Sequence, residues 1–157
     1  MARAMQRKAA KDYPQHGIKK GDTYWFAQIK TGPRSSRTLR QIAPFKRSQL
    51  TTSDYQGQLY DWEDDKGNLG EMDGAQDLAD RIRALGEEQQ EKFDNMPEGL
   101  QSGSSGELLQ ERADACADAA DEIEEVISDW ESSQDPDNED DTDEDEFVAR
   151  IWDICVG

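Results

Sequence analysis

Residues 109–130 read LQERADACADAADEIEEVISDW, and within them Leu109, Ala113, Cys116, Ala120, Ile123, Ile127 and Trp130 recur at alternating four- and three-residue steps. Such spacing is that of a coiled-coil seam, because 3.6 residues per turn brings these positions onto one narrow stripe of a helix. It predicts a helix over about 105–132, with small side chains in the first half of the stripe and bulky ones in the second. A narrow stripe needs a second surface to bury it. Ala75, Leu78, Ile82 and Leu85 supply one, on a helix predicted over about 72–94, before Gln89 interrupts the pattern ahead of Phe93 and Met96. Asn95-Met96-Pro97-Glu98-Gly99 reads as a turn, followed by a Ser/Gly connector through Gly106. The two helices are therefore expected as an antiparallel hairpin. Ser104 and Glu107 have the spacing of a capping box.

Working outward, Tyr55, Leu59 and Trp62 stand at i, i+4 and i+7, one face of a further helix that Thr52 or Ser53 can cap; Lys66-Gly67-Asn68-Leu69-Gly70 ends it. Before Ser48 the period changes. Asp22-Thr23-Tyr24-Trp25-Phe26-Ala27-Gln28-Ile29-Lys30 is an aromatic, β-branched run between turn residues, the best strand in the chain. A weaker strand over Ser36–Ile42 makes a hairpin with it through Thr31–Ser35, and Pro44 closes the module. The fold class expected is α+β, mostly α. It comprises a basic flexible arm (1–12), a small β-hairpin module (13–47), a helical region (48–133), an acidic disordered linker (134–146) and a short amphipathic C-terminal segment (147–157).

Charge divides along the same line. Residues 1–50 hold twelve Lys/Arg against only Asp12 and Asp22, a net +10; the remainder holds six basic and 34 acidic residues, a net −28. That asymmetry suggests a polyanion-facing part joined to an acidic body. Cys116 and Cys155 are too far apart in sequence for a metal or redox motif and suit a reducing compartment. Cys116, on the seam, reads as a small core residue. No stretch approaches the roughly 18 apolar residues of a membrane span, so no membrane partner is expected.

The segments Gly17-Ile18-Lys19-Lys20-Gly21-Asp22-Thr23-Tyr24-Trp25-Phe26, Arg47-Ser48-Gln49-Leu50-Thr51-Thr52-Ser53-Asp54-Tyr55, Gln58-Leu59-Tyr60-Asp61-Trp62-Glu63-Asp64 and Glu91-Lys92-Phe93-Asp94-Asn95-Met96-Pro97-Glu98-Gly99-Leu100 carry a resemblance. Together they resemble a family of small tailed-phage accessory proteins that has no assigned function. The resemblance implies a viral origin and a host-cytoplasm setting. Some relatives carry Cys pairs that make the N-terminal module a zinc-ribbon-like finger. In residues 1–50 of this chain His16 is the sole His or Cys, whereas a structural zinc needs four ligands, so a metal-free, degenerate version is expected.

Catalytic chemistry finds no footing in the sequence. His16 lies in a polar turn with no nucleophile or orienting partner nearby, and there is no GxSxG, P-loop, HExxH or CxxC motif. The run Asp135–Glu146 superficially resembles a calcium loop, but Asp140 occupies the sixth position where that loop requires Gly. No enzyme activity, cofactor or metal is expected. The favoured function is binding of nucleic acid, or of a nucleic-acid-processing complex, through Lys19, Lys20, Tyr24, Phe26, Lys30, Arg34, Arg37 and Arg40, because basic groups interleaved with aromatics suit single strands. Partner docking is expected at Asp118, Asp121 and Glu125 on the helix face away from the seam, and at the terminal Phe147, Ile151 and Trp152. The candidate partners are nucleic acid, a host or phage protein, and a second copy joined through the helical hairpin. Two alternatives stand beside this reading: an acidic DNA mimic that inhibits a host defence or DNA-processing protein, and an assembly scaffold.

Overall fold

A computed structural model describes residues 2–134 and 143–156. The chain is α+β and mostly helical, with a three-stranded antiparallel sheet followed by helices. It divides into two compact units, Met1–Asp61 and Trp62–Gly157.

In the first unit β1 (Met5–Lys8), β2 (Thr23–Lys30) and β3 (Ser36–Gln41) form a sheet in that order. Met5 stands opposite Phe26 and Lys8 opposite Thr23; on the other side Trp25 faces Gln41 and Lys30 faces Ser36. The expected hairpin is present, closed by the Thr31 N–H donating to the Ser35 carbonyl at 3.0 Å. The loose arm is corrected: residues 5–8 are a strand. All four of its side chains are exposed, so no apolar alternation marks it, and its pairing is through the backbone of β2.

The loop from β1 to β2 is shaped by the two acidic residues of the basic third. Asp12 Oδ1 accepts from the Lys20 N–H at 2.6 Å, and Asp22 Oδ2 accepts from the Lys19 N–H at 2.8 Å. Gly21, at φ +96°, donates to the Ala9 carbonyl at 2.8 Å in a conformation that L side chains rarely adopt. The loop thereby lowers Ala9 and Ile18 onto Tyr24, making a small apolar cluster to which Tyr13 and Phe26 add their edges. His16 is exposed at the end of a single 3₁₀ turn.

Helix α1 (Asp54–Lys66) spans the division between the units. Its start is as the sequence indicates, with Ser53 Oγ accepting from the Gln56 N–H at 3.3 Å. Tyr55, Leu59 and Trp62 are all buried, as their spacing requires.

The second unit contains α2 (Ala75–Asp94), α3 (Glu98–Gln101), α4 (Ser104–Ser133) and α5 (Glu144–Asp153). Arg83 meets Asp121 and Glu124, while Gly86 lies against Ala113 and Cys116, so α2 and α4 run antiparallel. A Cβ on Gly86 would stand 2.9 Å from Cys116 Cβ and 3.1 Å from the Ala113 carbonyl oxygen, so the glycine is what lets the two backbones approach. Leu78, Ile82 and Leu85 from α2 and Ala113, Cys116, Ala120 and Ile123 from α4 are buried. Ala119 and Val126 join them, while Leu109, Ile127 and Trp130 are half-buried. The apolar face is thus wider than the predicted stripe, as in a globular bundle rather than a strict two-helix seam. Gln89, the residue that breaks the pattern, is 1% exposed and its Nε2 has no hydrogen-bond partner. The expected capping box does not form. Ser104 is already helical, and Gly103 precedes it with no side-chain cap.

The C-terminal end needs the largest correction. There α5 begins at Glu144, inside the span expected as linker, and Asp143 caps it by accepting from the Asp145 N–H at 3.1 Å. Val148, Ile151 and Ile154 are buried, and Phe147 packs on Trp130 with ring centroids 5.4 Å apart. Arg150 pairs with Asp129 at 2.8 Å. At its two ends α5 is tied down by hydrogen bonds. Glu144 accepts from the Met72 N–H at 2.7 Å, and the buried Lys66 ammonium donates to the carbonyls of Trp152, at 2.7 Å, and Ile154. Val148, Ile151 and Ile154 are hence core of this unit, with Phe147 half-buried at its edge and Trp152 exposed. Most of the acidic linker, and the calcium-like run within it, lie outside the described residues. Cys116 is buried in the seam and Cys155 is exposed.

Candidate nucleic-acid interface

A strand alternates its side chains, so cross-strand partners share a face. One face of the sheet therefore carries Met5 and Arg7 from β1, Tyr24, Phe26, Gln28 and Lys30 from β2, and Ser36, Thr38 and Arg40 from β3. On it, cations and rings alternate. The Arg7 guanidinium lies 4.1 Å from the Phe26 ring centre; Arg40 lies 5.6 Å from Phe26 and 4.9 Å from Tyr13; Lys11 lies 5.7 Å from Tyr13. The order across the face is Arg7, Phe26, Arg40, Tyr13, Lys11.

Each contact is an attraction between a cation and the negative face of a ring, about 0.5–1 kcal/mol where exposed. A ring holds a cation without neutralising it. From Thr23 to Ser53 the sequence contains no Asp or Glu at all, so β2, β3 and the segment after them bring no carboxylate to this surface. Arg40 Nε is enclosed without a hydrogen-bond partner. Three positive charges are thus fixed side by side with nothing in the sheet to cancel them.

The eight residues expected to bind nucleic acid are dispersed by the fold. Phe26 and Arg40 are in the ladder. Tyr24 is only 5% exposed, beneath Ala9 and Ile18, and offers no ring face to a base. Lys19 and Lys20 occupy the loop before β2, and Lys30 and Arg34 the hairpin tip beyond it, with seven strand steps, about 23 Å, between the two ends. Arg37 turns to the opposite face, opposite Ile29, where both line an open groove of about 740 Å³ with Asp54 and Asp61. Arg7, Lys11 and Tyr13 were missed. They come from the supposed arm and the loop after it, and only the closeness of Lys11 to Tyr13 in sequence hints at them.

The acidic candidates divide as well. On α4 Asp118 and Glu125 are exposed, but Asp121 accepts from Arg83 at 2.6 Å beside Glu124. The hydrogen bond from Arg83 holds the Glu124 carboxyl below its ordinary pKa, and the same bond, with that to Asp121, raises the guanidinium above its own. Of the terminal trio, Ile151 is wholly buried and Phe147 half-buried; Trp152 is 48% exposed. Among the described residues no group of three or more His, Cys, Asp or Glu is placed to hold a metal ion. No helix among the described residues is long and apolar enough to cross a membrane.

Fold and site together define a class: a small α+β protein that pairs a cationic, aromatic sheet face with an acidic helical hairpin. Comparison with family models, curated proteins and solved structures found no match to this chain. The functional reading accordingly rests on its own residues.

Proposed function

We propose that this chain is a non-enzymatic nucleic-acid-binding protein that contacts its ligand through the ladder of Arg7, Phe26, Arg40, Tyr13 and Lys11. In the setting implied by the phage resemblance, the ligand is nucleic acid in the host cytoplasm or in a complex that processes it. The observation that supports this reading most is the interleaving of three cations with two rings across a sheet whose strands carry no carboxylate. Phosphates answer the charge, and bases can stack on guanidinium planes as they do on rings. Each phosphate neutralised releases condensed counterions, so three contacts to a single strand predict a salt slope of at least about −2 in log–log terms, roughly a 20-fold loss of affinity between 50 and 200 mM salt. Fluorescence anisotropy of a labelled single strand titrated with the whole chain measures this. Arg7→Gln with Arg40→Gln is expected to flatten the slope and weaken binding at least tenfold. A salt-independent signal, or a double variant that binds like the parent, would sink the proposal.

The DNA-mimic alternative rests on α4, a long helix that exposes Asp114, Asp118, Glu122 and Glu125 at successive turns. It is the weaker reading, because Asp121, Glu124 and Asp129 in the same array already answer Arg83 and Arg150. Capture of a host DNA-binding protein that duplex DNA competes away would favour it.

A further inference from the structure

We infer that the same sheet face continues into a phosphate subsite at the tip of the β2–β3 hairpin, so that the ligand of the ladder is a single strand lying along β2; this rests on the nucleic-acid reading above. Strand alternation carries Gln28 and Lys30 onto the Phe26 side, and the register sets Thr38 and Ser36 opposite them on that side. At the tip lies a notch of about 290 Å³ lined by Lys30, Arg34, Ser35, Ser36 and Gln28 around Gly32. The turn is tight, since a Cβ on Gly32 would come within 2.8 Å of Ser35 Oγ.

The hydrogen bonds inside the protein decide what the notch can recognise. Gln28 Nε2 donates to Ser36 Oγ at 2.8 Å, and Thr31 Oγ1 donates to Ser35 Oγ at 3.0 Å. Both serine oxygens are therefore already acceptors, and each keeps its own proton to give outward. Lys30 and Arg34 have donors only. Two cations and two hydroxyl donors, with no carboxylate among the lining residues, select an anion with several acceptor oxygens, which is the chemistry of a phosphate.

Distance supplies the second part of the argument. Lys30 stands four strand steps from Phe26, about 13 Å along β2. That is about four nucleotides of a stacked strand at roughly 3.4 Å each, and fewer of a stretched one. Guanidinium planes of Arg7 and Arg40 reach bases only when these are splayed outward, as in a single strand. One strand of four or so nucleotides can therefore place its bases on the ladder and a backbone phosphate in the notch.

The test uses the whole chain and oligothymidylates of two, four, six and ten residues. Affinity should rise at least tenfold between two and about six residues and then level. With five cations engaged, the salt slope for the longer strands should be about −3.5, and Lys30→Gln with Arg34→Gln should return it to about −2 and abolish the gain with length. Both side chains are exposed, so the fold survives this change. Arg7→Gln with Arg40→Gln should instead weaken every length, the dinucleotide included. If the tip variant keeps the parent's slope and length dependence, the subsite is wrong while the ladder stands. If a duplex of equal length binds as tightly as the single strand, the single-strand assignment is overturned. If no oligonucleotide binds, the reading beneath it falls as well.

Discussion

In the helical unit Arg81, Arg83, Lys92 and Arg150 are each held by carboxylates, and Lys66 by backbone carbonyls; in the sheet unit Arg7, Lys11 and Arg40 rest on aromatic rings. A carboxylate cancels the charge it holds, whereas a ring only positions it. The contrast extends to the cores. The helices bury a long run of Leu, Ile, Ala and Cys, while Ala9, Ile18 and Tyr24 form a small cluster in the sheet unit. One unit spends its charges on its own structure; the other keeps them available. It is this difference, more than overall acidity, that directs attention to the sheet.

The contrast can be attacked at its strongest point first. Ile82→Ala removes a fully buried side chain from the α2–α4 interface and should cost about 2–5 kcal/mol, read by urea denaturation. A loss well under 1 kcal/mol would show that the seam does not hold the unit together. Gln89→Met fills the same space without an unsatisfied amide and should raise stability by about 1–3 kcal/mol; a loss would mean that the amide has a partner in solution. In the sheet, Phe26→Leu removes the ring under Arg7 and Arg40, two contacts of about 0.5–1 kcal/mol each, and should weaken single-strand binding more than it lowers the melting temperature. The smallest effect concerns acid. Glu124 is held below its ordinary pKa by Arg83, so the stability it contributes is present above the ordinary carboxylate range and is lost as pH falls through the lowered value. Arg83→Met should make the acid limb of the stability curve slightly shallower, while Arg7→Gln in the sheet should leave it unchanged.

Helices were legible because their apolar period is local: Tyr55, Leu59 and Trp62, and the stripe from Leu109 to Trp130, announce their buried faces within a few turns. Ala119 and Val126 escaped because a stripe drawn for two helices is narrower than the face that α4 buries. The terminal residues misled, since apolarity alone does not say whose core it joins. In the sheet unit the main strand was readable from its composition, but β1 has no apolar face to read. The ladder draws on Arg7, the Lys11–Tyr13 pair, Phe26 and Arg40. It exists only once three strands and a loop are in register. Tyr24 and Trp25 left both facings of the strand open, and the burial of Tyr24 depends on a loop whose path is set by Asp12, Asp22 and a left-handed Gly21.

The two cysteines have a practical consequence. Cys155 should be alkylated at once by a thiol reagent, whereas Cys116, enclosed where α2 and α4 come closest, can react only when those helices part. Mass spectrometry would then see one adduct form immediately and a second no faster than the helices separate. The protein thus carries a built-in clock for the opening of its hairpin, readable without a mutation.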